Sequence, residues 1–84
     1  MRNTLYVGNL PHSATDSDLR TMFGRCGTVV SVAISGIQGS GHSRRGLVEM
    51  ASEADVVSAI GRLNMSQYDE STISVSRARI GQSH

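Results

Sequence analysis

The side chains able to do chemistry in this sequence are guanidinium groups and one well-placed ring. The eight basic residues are all arginine, with no lysine, and seven acids bring the formal charge to +1. Arginine is planar, stacks on flat faces and pairs bidentately, where lysine would act as a point charge. Arg2, Arg44, Arg45, Arg77 and Arg79 fall at or beside stretches that read as strands. Tyr6, between Leu5 and Val7, takes the outward phase of an alternating run, which leaves its ring available for stacking. The net charge by itself argues for no partner. Catalysis finds no foothold: the sequence shows no nucleophile with an adjacent base, no plausible carboxylate pair and no glycine loop opening a helix to cradle phosphate. His12, His42, His84 and Cys26 are scattered without metal-ligand spacing, so no metal or other cofactor is expected.

These groups need a scaffold, and 84 residues suffice for one core. One domain is expected over residues 1–80, with a polar tail at 81–84. A lone cysteine, Cys26, excludes an internal disulfide and points to an intracellular chain. No secretory signal opens the sequence, and no stretch reaches the roughly 20 apolar residues of a membrane helix, so no membrane partner is expected.

Leu5-Tyr6-Val7 reads as a first strand closed by Gly8-Asn9-Leu10-Pro11. Thr15 with Asp18 opens a helix over about 16 to 24, carrying Leu19, Met22 and Phe23 at helical spacing. Val29 to Ile34 is β-branched and bounded by glycines, a second strand. Residues 35–43, rich in glycine and serine, read as a flexible connection. From Arg45 to Met50 a third strand puts Gly46, Val48 and Met50 on one face and Arg45, Leu47 and Glu49 on the other. Ser52 with Asp55 repeats the capping pattern ahead of an apolar stripe, Val56, Ala59, Ile60 and Leu63, that closes at Asn64. Tyr68 falls in the next connection, where packing is its expected role. Thr72 to Ser76 alternates with Ile73 and Val75 inward, a last strand. The order is βαββαβ, which predicts an α+β, ferredoxin-like two-layer sandwich: a four-stranded antiparallel sheet with two helices on one face. The other sheet face is open, and function is to be sought there.

The residues now support a comparison. Leu5-Tyr6-Val7-Gly8-Asn9-Leu10 resembles the hexamer motif of the RNA recognition motif family, and Ser43-Arg44-Arg45-Gly46-Leu47-Val48-Glu49-Met50 resembles its octamer. Leu19, Phe23 and Gly27, then Ala59-Ile60 with Leu63-Asn64, match the helix patterns. Small single-domain bacterial RNA-binding proteins look most similar. In the family, one hexamer aromatic and two octamer aromatics stack on bases, and this sequence keeps only the first, Tyr6. Arg45 and Leu47 stand where the other two would be.

The resemblance implies single-stranded RNA, or single-stranded DNA, as the partner, held on the open face without enzymatic activity. Tyr6 would stack one base, Arg45 would stack or pair with phosphate, and Leu47 would supply apolar floor. Arg44, Arg77 and Arg79 would border the same face, and Ser76 would offer a hydroxyl. Asn9 is a further candidate contact, although an asparagine after a strand also bonds local backbone. With one ring left of three, binding is expected to be weak, modestly selective, salt-sensitive and dependent on arginine. A different class of reading is an interaction or homodimerisation module whose Tyr6 and Leu47 meet a protein partner or a second copy. A cytoplasmic location in a bacterium is expected, or a nuclear one if the source is eukaryotic.

Overall fold

A computed structural model of the chain describes residues 3–35 and 44–78. Most of the expected flexible connection, together with Arg2, Arg79 and the tail, lies outside the described residues. The elements are β1 (Thr4–Leu10), α1 (Asp16–Gly24), β2 (Val29–Ser35), β3 (Arg44–Met50), α2 (Glu53–Leu63), β4 (Gln67–Tyr68), β5 (Ser71–Thr72) and β6 (Ser74–Arg77). The main sheet is antiparallel in the order β2-β3-β1-β6, so the two motif strands lie at its centre.

Both helices begin where side chains satisfy their free N–H groups. Thr15 Oγ1 accepts from the Asp18 N–H at 3.1 Å, and Ser52 Oγ accepts from the Asp55 N–H at 3.2 Å. Each helix buries one stripe, Leu19 and Phe23 from α1 and Val56 and Ala59 from α2, against Leu5, Val7, Val48, Met50 and Val75 of the sheet. Gly46 lets α1 come close: a Cβ there would stand 3.2 Å from Leu19 Cδ1. The two-layer order and the inward phases of β1 and β3 are as the alternation predicts.

The region after α2 differs from expectation. Residues 67–72 form a second, two-stranded sheet, and β6 starts only at Ser74. Asp69, at φ 55°, turns this hairpin. Ile73 is fully buried between the two pieces; its N–H donates to Ser66 O at 3.0 Å and its carbonyl accepts from the Met65 N–H at 2.8 Å. Three side-chain bonds tie the hairpin to the β1–α1 side: Asn9 Nδ2 donates to Thr72 O at 2.8 Å, Ser13 Oγ to Asp69 Oδ2 at 2.8 Å, and the Tyr68 hydroxyl to Asp18. Tyr68 is buried, and desolvation, then the bond to Asp18 and its charge, raise its pKa to about 12.

Candidate nucleic-acid interface

The open face is set by parity. Each strand that turns Leu5, Val7, Val48 or Val75 toward the helices must turn the alternate residues away from them. Strand pairing then lines those residues up in rows. The central row runs Ala33, Leu47, Tyr6, Ser76 across all four strands. On one side of it Ser35 faces Arg45 and Gly8 faces Ser74; on the other Ser31 faces Glu49, which faces Thr4.

Tyr6 and Leu47, 36% and 38% exposed, are directly opposite each other and form the apolar centre of this face. The ring of Tyr6 leans along β1 over Gly8, where a Cβ would stand 3.1 Å from Tyr6 Cε2 and 2.8 Å from Ser74 Oγ. Gly8 therefore leaves the space in which the ring lies. Arg45 is exposed beside this centre and makes no ion pair among the described residues. Glu49 accepts a bond from Ser31 Oγ at 3.3 Å. Such a surface can stack two flat groups side by side, with a cation at one end and a carboxylate at the other.

Other expected site residues are placed elsewhere. Arg44 shares the inward parity of Gly46 and Val48, and its Nη1 donates to His12 O at 3.0 Å and Ala14 O at 2.8 Å. Its guanidinium thus holds the β1–α1 connection rather than bordering the open face. Arg77 shares the parity of Val75 and forms a bidentate ion pair with Glu53 at the start of α2, at 2.7 and 3.0 Å. That pairing raises its pKa further, and as an exposed pair it adds little to stability. Asn9, in the left-handed region at φ 62°, uses its amide to hold β5. The expected row of arginines along the sheet is therefore corrected to Arg45 alone among the described residues. Period-two parity, applied to positions 44 and 77, was the signal that separates them. The same parity with strand pairing adds Gly8, Ala33 and Ser35, which sequence reasoning had not assigned to the face, beside Ser74, which alternation already turns outward.

Residues 5–74 match the model of the RNA recognition motif. The chain is 42% identical over 72 residues to the chloroplastic RNA-binding protein CP33 of Arabidopsis thaliana, covering 84% of this chain and 22% of that one. It is 34% identical over 77 residues to the putative RNA-binding protein RbpA of a Nostoc strain, covering 90% of this chain and 76% of that one. The third RRM domain of Mip6 superposes with a TM-score of 0.86 at 27% identity, covering 93% of this chain and 94% of that one. The chain spans 22 to 27% of the length of the first three chloroplastic relatives. No helix among the described residues is long and apolar enough to cross a membrane. By the residues matched, the relatives and the architecture, the chain belongs to the RNA recognition motif family.

Proposed function

We propose that this chain binds single-stranded RNA across the open sheet face, one base stacking on Tyr6, a neighbouring base resting on Leu47, and Arg45 pairing with phosphate or covering a base edge. The observation that carries this reading is the exposed Tyr6–Leu47 pair at the centre of a sheet face that neither α1 nor α2 covers. Membership in an RNA-binding family supports it. The affinity is modest, because stacking on an aromatic contributes roughly 1 to 3 kcal/mol per base and the described face holds one ring. Ser76, next to Tyr6 in the same row, supplies a hydroxyl at the edge of the footprint. The proposal assigns the chain no catalytic step.

The test is a titration of short single-stranded RNA followed by fluorescence polarisation and by backbone amide shifts. Tyr6→Ala weakens binding by roughly 5- to 150-fold, the equivalent of one stack. Arg45→Ala lowers the salt slope by about 0.7, the single-strand value for one phosphate contact. Shifts confined to the helix side, with Tyr6, Leu47 and Arg45 unmoved, would remove the site from this face. Loss of RNA binding together with dimerisation through Tyr6 and Leu47 would favour a module for self-association instead.

A further inference from the structure

The open face carries one carboxylate among its described residues, and its bond there is the one from Ser31. Glu49 caps no helix and pairs with no arginine among the described residues; Arg45, four residues along the same strand, stands about 13 Å away at the strand rise of ~3.3 Å per residue. An acid on a surface that meets phosphates lowers affinity for the polymer as a whole. A gain made through the base edges is what would offset that repulsion.

The surroundings of Glu49 show which edge that is. It lies two residues from Leu47 on β3 and diagonal to Tyr6 on β1, since Thr4 is its direct partner and Leu47 is that of Tyr6. Residues two apart on one strand lie about 7 Å apart on the same face, which puts Glu49 within reach of the rim of a base resting on Leu47, whereas the Tyr6 ring leans away from it toward Gly8. Ser31 Oγ holds Oε1, and among the described residues no donor is bonded to Oε2. The Ser31–Glu49 bond is exposed, so Oε2 is open to a charge-assisted bond from an incoming N–H group. An ionised carboxylate only accepts. Of the four RNA bases, guanine alone presents two adjacent donors, N1–H and the N2 amino group, on its Watson–Crick edge. Cytosine, adenine and uracil each offer one N–H group next to an acceptor, and that acceptor would face the second carboxylate oxygen.

We infer that Glu49 is a specificity-determining residue that selects guanine at the base position resting on Leu47. The inference rests on the proposed RNA binding at this face. Phosphates are kept toward the Arg45 end, so the same pair of charges also fixes the direction in which the strand lies.

The test uses the full chain and five heptamers: seven uridines, and the same strand with its central base replaced by guanine, adenine, cytosine or inosine, the last being guanine without its N2 amino group. The guanine strand binds about tenfold more tightly than the others, within the range of a bidentate base contact, and inosine loses most of that margin. Glu49→Gln keeps the shape and the fold, narrows the margin to about twofold and tightens binding of the uridine heptamer by removing the repulsion. Equal binding of all five strands by the wild-type chain overturns the selection while leaving RNA binding intact. A guanine margin that survives Glu49→Gln overturns the role of Glu49. Failure of every strand to bind overturns the proposed function itself, and this inference with it.

Discussion

Replacing Gly27 by alanine tests how α2 is fastened to the start of β2. A Cβ on Gly27 would stand 2.6 Å from Asp55 Cβ, with Asp55 Cγ and Oδ1 closer still. Rotation about χ1 of Asp55 moves Cγ and the carboxylate away, but Asp55 Cβ is fixed to the first turn of the helix, so the backbone must yield. Overpacking of this kind costs about 1 to 3 kcal/mol. The rotation also breaks the bond from the Thr28 N–H to Asp55 Oδ2, 3.2 Å long, for about 1 kcal/mol more. The expected loss is about 2 to 4 kcal/mol, or roughly 10 to 30 °C in Tm for a domain of this size. Gly61 provides the opposite case: inside α2, with nothing within 4 Å of its would-be Cβ, it becomes alanine with a gain of about 0.5 to 1 kcal/mol. Urea and thermal unfolding of the two variants read the comparison directly. Asp55→Ala, which removes Cγ and the carboxylate, costs less in the Gly27→Ala background than alone, because the bond it deletes is already gone. A Gly27→Ala protein within 0.5 kcal/mol of wild type, or one no less stable than Gly61→Ala, would refute the steric argument.

Three further outcomes follow from contacts described above. Tyr68 stays protonated in the folded chain up to about pH 12, whereas an unfolded tyrosine ionises near pH 10; stability is therefore fully supported below about pH 10 and falls as pH rises through the window to 12. The loss amounts to about 2 to 3 kcal/mol, and Tyr68→Phe flattens it; an equally steep alkaline decline in the variant would show that another group is responsible. Arg44→Ala leaves the His12 and Ala14 carbonyls without their donor and lowers the urea midpoint by the equivalent of about 2 kcal/mol, while RNA affinity of the folded fraction stays within twofold. Gly8→Ala costs little stability, since Ser74 Oγ can rotate aside, but it lifts the Tyr6 ring and weakens RNA binding at least threefold; unchanged binding would mean that the ring's position over Gly8 is immaterial.

Much of this was legible from side-chain period and end signals. The helices announce themselves through Thr15 and Ser52, whose hydroxyls do cap them, and through apolar residues three and four apart. Arg45, Leu47 and Glu49 fall on the face that alternation assigns them. The hairpin of β4 and β5 was not legible, because two-residue strands have no period and its turn depends on Asp69 adopting a left-handed backbone that a sequence does not display. Arg44 and Arg77 depart from expectation for a different reason. Nearness to a strand does not decide what a guanidinium meets, which depends on distant partners: Arg44 finds two carbonyls some thirty residues earlier, and Arg77 finds the first residue of α2. Charge balance along the chain holds no trace of those pairings.

The two outer strands of the sheet also differ in how they resist pairing with another molecule. The outer side of β6 is occupied at its start, since the Val75 N–H donates to Asn64 Oδ1 at 2.9 Å and both backbone groups of the preceding Ile73 are bonded to residues 65 and 66. Among the described residues β2 has no strand on its outer side, and an even, valine-rich edge would template aggregation. The register shift between Val29 and Ser31 sets Val30 outside the ladder, 52% exposed, and confines any straight docking segment to Ser31–Ser35. Proteins commonly blunt such an edge with lysine or proline. This chain has no lysine and a single proline, Pro11, so one inserted valine takes over the task of keeping its sheets apart.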